Sequence, residues 1–274
     1  MTMSIWIVML LAVVQGLTEF FPVSSSGHLV IFEALVGGRG DASAGSVLFE
    51  VAVHIGTLGA IVVFYRKKLR ALLDAMLAVL GSGRKGYEAH RGEVRYIGYI
   101  LAGTIPAALV GVLLREQITG AFDAPALASS FLVATGAYLL LGRGRVVSRT
   151  LSWRTALVIG AAQAVAILPG ISRSGWTITT ALILGLGFAE AAEFSFLLSI
   201  PAILGALVLE LAKGPPATSA HALLPLVVGA ATAFLVGWLA LRLLIGILTR
   251  GALHRFAYYL LPAGAAAFVY FAFR

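Results

Sequence analysis

The stretch from Val13 to Ile31, VVQGLTEFFPVSSSGHLVI, and its counterpart from Ala161 to Thr179, AAQAVAILPGISRSGWTIT, decide how the rest of the chain is read. Each begins apolar, breaks at a proline followed by serines and a glycine, and resumes apolar. Aligned, they pair Gln15 with Gln163, Pro22 with Pro169, Ser26 with Ser174 and Gly27 with Gly175. The surrounding apolar regions, 5–36 and 155–187, are thereby cut into half-helices, at least one of each pair too short to cross a bilayer. A backbone broken inside hydrocarbon has to line a cavity or be buried in protein, because lipid satisfies none of its free N–H and C=O groups. Two re-entrant helical hairpins meet that demand.

The composition agrees with a membrane setting. Of 274 residues, 60% are hydrophobic and only 12% charged, too few charges to cover a soluble domain. The first apolar run has no basic residue before it and no small-residue cleavage site after it, so it is expected to remain in the mature protein. Without cysteine, disulfides and thiolate metal sites are excluded. Six further segments approach the roughly 20 residues that a spanning helix needs: 46–65, 96–114, 126–142, 192–212, 222–241 and 256–273. The likeness between the halves continues downstream, where FEVAVHIGTLGAIVV matches FSFLLSIPAILGALV and AALVGVLL faintly matches AFLVGWLA. The expected fold is therefore all-α and integral to the membrane, a single domain of six transmembrane helices plus two re-entrant helical hairpins. Its halves, about 1–145 and 150–274, each hold one hairpin and three spans. An odd number of crossings per half inverts the second relative to the first, giving an inverted-topology repeat.

The net charge is +8, and its distribution says more than its sum. Residues 66–95 carry eight Lys/Arg, 143–154 four and 242–255 three, so fifteen of the twenty basic residues sit in three expected loops. The positive-inside rule assigns those loops to the cytoplasm. The loops around 37–45, 115–125 and 213–221 are poor in basic residues and belong to the other side. Contact with anionic lipid accounts for the basic loops without any nucleic acid.

Arg173 is the one basic residue that this reading places inside an apolar segment. A guanidinium at that depth is costly unless it meets water or a partner; two readings stay open, a site for an anion and an ion pair with Glu19 or Glu50. The serines point toward the anion. In PVSSSGH and PGISRSG a proline-led turn brings Ser24, Ser25, Ser26 and Gly27, and Gly170, Ser172, Ser174 and Gly175, to the start of a new helix, where N–H groups are unpaired and the helix dipole is positive. Such a start suits phosphate, although each motif alone also reads as an ordinary N-cap. Gln15 and Glu19, one turn apart, present an amide oxygen and a carboxylate together, a partial ligand set for a hard cation such as Mg²⁺ or Ca²⁺. His28 follows Ser25 by three residues, close enough for ring and hydroxyl to meet as a base and a nucleophile. Glu50 and His54 share a face of the first full span and are open to structural or site roles. Glu190 and Glu193 are expected at the mouth of a span, solvated.

The paired motifs QGLTEFFPVSSSGH and LPGISRSG, with FEVAVHIGT and FSFLLSIPAILGA, resemble the undecaprenyl-pyrophosphate phosphatases of the bacitracin-resistance type, integral membrane enzymes of bacterial cell-wall synthesis, over nearly the whole chain. The resemblance implies hydrolysis of a polyprenyl pyrophosphate lipid to the monophosphate and inorganic phosphate, with a divalent cation, in the bacterial inner (plasma) membrane, the site opening toward the periplasm. It carries the family's Glu/Gln-x-x-x-Glu element onto Gln15 and Glu19, its serine-rich loop onto Ser24, Ser25 and Ser26, its histidine onto His28 and its second-motif arginine onto Arg173. Ser25 is then the expected nucleophile, with His28 moving the proton or, as the alternative, attacking itself. The rival function is a polyprenyl-phosphate transporter or flippase, because inverted repeats with broken helices are a transporter architecture. A homodimer is compatible with the sequence and not required by it.

Overall fold

In the computed structural model, residues 4–36, 44–144, 149–212 and 223–273 are described; the expected loops around 37–45 and 213–221 fall largely outside them. The described residues are all-helical. In chain order they form α1 (Ile5–Phe20), α2 (Ser25–Val36), α3 (Ala44–Phe64), α4 (Arg66–Ser82), α5 (Arg84–Ala89), α6 (Arg91–Leu113), α7 (Arg115–Ala121), α8 (Pro125–Leu141), α9 (Trp153–Val165), α10 (Arg173–Ile183), α11 (Phe188–Leu211), α12 (Leu223–Thr249), a 3₁₀ turn (Leu253–Phe256) and α13 (Ala257–Ala272). Three of these, α6, α11 and α12, are each long and apolar enough to cross a bilayer. Five candidate spans result when the bent pairs α3 with α4 and α7 with α8 count as one each.

The helix limits fall where the sequence places them at both breaks, and differ elsewhere. Region 5–36 splits into α1 and α2, and region 155–187 into α9 and α10. The expected basic loop 66–95 is helical instead: α4 leaves α3 at 80°. The spacing of Leu69, Leu72, Leu73, Met76, Leu77 and Leu80 gives α4 an apolar side, with Leu72 buried and Leu73, Met76, Leu77 and Leu80 exposed. An amphipathic helix turned so sharply from a span has the character of an interfacial segment. Likewise α12 runs to Thr249, eight residues past the expected end, and absorbs Arg242, whose guanidinium lies 3.7 Å from the Trp238 ring centroid. That stacking lets a basic residue continue the helix. Glu190 and Glu193 are not merely solvated either. Glu193 pairs with Lys68 at 3.1 Å and Glu190 accepts the Leu151 N–H at 3.3 Å, tying α11 to α4 and to the entry of α9.

Close helix packing depends on small residues, as expected where lipid supplies no hydrophobic drive between helices. A Cβ on Gly56 of α3 would lie 2.2 Å from the Ala230 carbonyl oxygen of α12, and one on Gly160 of α9 would lie 2.2 Å from the Gly103 carbonyl oxygen of α6. The first half-helix of each broken region thus lies against a long helix from the other half of the chain, α1 on α12 and α9 on α6, while α8 packs along α13. Phe20, at the end of α1, is fully buried with its ring edge-on to Phe196 of α11 at 5.6 Å, which fixes where α1 stops.

Candidate active site

The two breaks are built alike. Ser24, held at φ +65°, accepts the Gly27 N–H at 3.3 Å and caps α2; Ser172 accepts the Gly175 N–H at 3.1 Å and caps α10. Each cap hydroxyl also meets the serine two residues on, Ser26 at 3.4 Å and Ser174 at 3.3 Å. With the cap and the third residue of each helix assigned to the turn, the first helical residue is Ser25 in one break and Arg173 in the other. Both are only partly buried, whereas Ser24 and Ser172 are buried. The N–H groups of Ser25, Ser26, Arg173 and Ser174 precede the first intrahelical bonds, the groups a helix start offers to an anion.

The breaks also touch. A Cβ on Gly27 would lie 2.6 Å from the Gly170 Cα and 2.9 Å from its nitrogen. One on Gly175 would lie 3.1 Å from Pro22 Cβ, and the Ser174 hydroxyl reaches the Phe21 carbonyl at 3.4 Å. Gly170 itself, at φ +94°, faces the Ala128 carbonyl of α8. Gly27→Ala is accordingly expected to wedge the breaks apart. Overpacking of this kind costs about 1–3 kcal/mol, so the thermal midpoint of the purified variant should fall and its activity with it; an unchanged midpoint would mean that the two turns are not in contact.

A cavity of about 420 Å³ opens at this junction. Its polar end carries Glu19, Ser24, Ser25, Ser26, Ser172 and Arg173, with Glu50 and His54 of α3 beside them, and α11 supplies an apolar wall that includes Ala202, Ile203, Ala206 and Leu207. Arg173 Nη2 donates to Glu19 Oε1, so one of the two open readings of this arginine, the ion pair, is formed. Its other terminal nitrogen, Nη1, is buried with no hydrogen-bond partner. The guanidinium therefore has one edge held and one edge unspent, and a buried N–H without an acceptor is costly unless a ligand supplies one.

Gln15 behaves differently from its expected role. Its Nε2 forks between Glu19 Oε2 at 3.1 Å and His54 Nε2 at 3.3 Å, and its residue does not line the cavity. His54 donates from Nδ1 to the Glu50 carbonyl at 2.8 Å, which leaves Nε2 of the neutral ring as the acceptor Gln15 needs. Gln15 thus organises the carboxylate rather than facing a ligand, and each oxygen of Glu19 already accepts a bond. Among the described residues no three His, Cys, Asp or Glu side chains gather as a metal site. These donors do not fit a cation held by protein alone.

The expected meeting of Ser25 and His28 is not formed. His28 sits on α2, but Nδ1 donates back to the Ser24 carbonyl at 2.8 Å and Nε2 accepts from the Tyr259 hydroxyl at 2.7 Å, with the two rings stacked at 5.7 Å. Both ring nitrogens are spent, and His28 does not line the cavity. The sequence reading missed Tyr259 altogether. It also missed Thr135 of α8, whose contacts join the second break, because nothing in the local pattern of either span marks them.

The described residues thus form a helical membrane protein in which a carboxylate–guanidinium pair and two capped helix starts line one cavity. Residues 8–266 match the family described as bacitracin resistance protein BacA. The chain is 40% identical over 260 residues to the undecaprenyl-diphosphatase of Korarchaeum cryptofilum, covering 94% of this chain and 96% of that one. It is 41% identical over 265 residues to that of Rhodopirellula baltica, covering 94% of each, and 39% identical over 269 residues to that of Geobacter metallireducens, covering 95% and 96%. The chain belongs to the bacitracin resistance protein BacA family.

Proposed function

We infer that the protein is an undecaprenyl-diphosphatase, hydrolysing undecaprenyl diphosphate to undecaprenyl phosphate and inorganic phosphate and so recycling the lipid carrier of cell-wall synthesis. The observation that carries this reading is the one cavity lined by the Arg173–Glu19 pair and by the serines that start α2 and α10. The transporter reading is not favoured, because the relatives over nearly the full chain are named diphosphatases. Release of inorganic phosphate from a polyprenyl diphosphate by the purified, detergent-solubilised protein is the expected result; no release alongside lipid movement in vesicles would reinstate a transporter.

In the proposed reaction the diphosphate sits at the polar end of the cavity, its oxygens taken by Arg173 and by the N–H groups of Ser25, Ser26, Arg173 and Ser174. The prenyl chain leaves along the apolar wall of α11. Ser25 Oγ attacks the terminal phosphorus; the bond to the bridging oxygen breaks, and undecaprenyl phosphate departs with the electron pair. Glu19 takes the Ser25 proton while its Oε1 stays paired with Arg173 Nη2. Water then cleaves the phosphoserine, freeing phosphate and restoring the hydroxyl. Phosphoryl transfer of this kind needs mainly positioning and charge neutralisation. His28 contributes by holding the Ser24 carbonyl, and through it the turn that presents Ser25. A divalent cation, Mg²⁺ or Ca²⁺, would enter with the diphosphate, whose oxygens supply the ligands that Glu19 and Gln15 lack.

The same reading keeps six spans and two re-entrant hairpins in an inverted repeat of halves 1–145 and 150–274, the active site opening toward the periplasm of a bacterial inner membrane. Its support is the matched capping of the two breaks and the exchange of partners, α1 on α12 and α9 on α6. Cysteines introduced singly at Arg84 and Gly120 of this cysteine-free chain should react with impermeant reagents from opposite faces, and labelling from the same face would break the topology.

A further inference from the structure

Serine and threonine hydroxyls in these helices usually turn back onto their own backbone. Thr18 donates to the Val14 carbonyl, Thr104 to that of Ile100 and Ser129 to that of Pro125, each at 2.7–2.8 Å and each four residues back. This is the default for such residues inside a helix. Thr135 of α8 departs from it. Its Oγ1 donates to the Gly170 carbonyl at 3.0 Å and accepts the Ser172 N–H at 3.2 Å, bonding across to the second break thirty-five and thirty-seven positions away in sequence. Thr135 is fully buried and lies outside the cavity.

We propose that Thr135 is a positioning residue that aims Arg173. Its one hydroxyl pairs the two backbone groups on either side of Ile171, and neither can be paired by α10, which begins only at Arg173. Ser172 is the N-cap, so fixing its N–H fixes the direction in which the next residue, Arg173, leaves the turn. Gly170 is pressed at φ +94° against α8, where a Cβ would sit 2.1 Å from the Ala128 carbonyl oxygen. Thr135 lies two turns further along the same helix, so α8 holds the turn at one side by contact and at the other by hydrogen bonds. The guanidinium then reaches Glu19 with Nη2 at the edge of the cavity, while Nη1 stays buried without a partner. The proposal rests on the reading of Arg173 as the diphosphate ligand.

The test is a double-mutant cycle on phosphate release from a polyprenyl diphosphate by purified protein. Thr135→Val keeps the shape and removes both bonds; Thr135→Ser keeps the hydroxyl. Misplacement of a catalytic group by about 1 Å costs roughly 100-fold, so kcat/KM of the Val variant should fall about 10- to 100-fold, and that of the Ser variant should stay near wild type. In an Arg173→Lys background the Val substitution should add little, because the group it aims is already gone; residues acting through one another are not additive. A purely structural role would lower the thermal midpoint and give losses that add in full. If the Val variant does not fold, Thr135→Cys, a weak donor of similar volume, takes its place in the cycle with the same expectation. Wild-type kcat/KM in the Val variant, a Ser variant as poor as Val, or full additivity overturns the proposal while leaving the site intact. Wild-type activity of Arg173→Lys alone overturns the reading of the site and this proposal with it.

Discussion

Ser25→Ala is expected to abolish phosphate release almost completely while leaving the fold and diphosphate binding near normal. The expectation follows from the division of labour within the first break. Ser24 is the residue that caps α2: its hydroxyl accepts the Gly27 N–H, its carbonyl accepts both the backbone N–H and Nδ1 of His28, and it is buried. Ser25 makes none of those bonds and lines the cavity at the first position of the helix. Removing its hydroxyl therefore takes away the proposed nucleophile without removing a cap. Ser24→Ala should behave in the opposite sense, losing about 0.5–2 kcal/mol of stability as caps do and activity only as far as the turn moves. Thermal midpoints and phosphate release measured on both variants separate the two roles. Substantial release by purified Ser25→Ala would transfer the attack to His28 or to water, and a phosphorylated Ser25 trapped during turnover would fix it on Ser25.

The breaks were legible because punctuation in sequence and punctuation in space coincide there. Proline, serine and glycine at 22–27 and 169–175 stop one helix and start the next, and both turns form where the motifs lie. Charge dominates segment 66–95 and points to a loop, although its leucines follow a helical period; charge density identifies a side of the membrane and not a backbone conformation. Arg242 departs from expectation for a related reason. A basic residue looked like the end of a span, and the tryptophan one turn earlier, which allows the helix to continue beneath it, carries no signal except its spacing.

Within the site, the residues carried by the motifs are present, but their pairing is a long-range property. Nothing in the spacing of Gln15, Glu19 and His54 reveals that one amide bridges the other two, since His54 arrives from a different helix. Only the i, i+4 relation of Glu50 and His54 hinted that α3 contributes. The Ser25–His28 spacing allows contact, but the Ser24 carbonyl and Tyr259 take the ring nitrogens instead. Tyr259 lies at the start of the last helix, 231 residues away from His28 in sequence. Thr135 is similarly silent, a threonine in an apolar helix whose importance comes wholly from what packs against it.

Arg173→Lys is expected to lower kcat/KM by an order of magnitude or more although the charge is kept. The guanidinium divides its work between two nitrogens: Nη2 holds Glu19, and Nη1 is left without a partner in a buried position. A planar fork can keep one edge on the carboxylate while the other meets a diphosphate oxygen, whereas an ammonium is a single point that has to choose. A lysine that stays with Glu19 forfeits the ligand, which raises KM; one that moves to the ligand leaves Glu19, itself largely buried, without its cation. Removing one partner of a buried pair is costly, about 3–5 kcal/mol where the remaining charge is left unpaired, so the Lys variant should also lose stability unless substrate is present. Glu19→Gln separates these effects. It removes the need for the pair, so it should restore stability to the Lys variant and leave its activity low, since the fork and the proton acceptor are both gone. If Arg173→Lys turned over at the wild-type rate, Arg173 would act only as a diffuse positive charge, and the unspent nitrogen would have no part in holding the diphosphate.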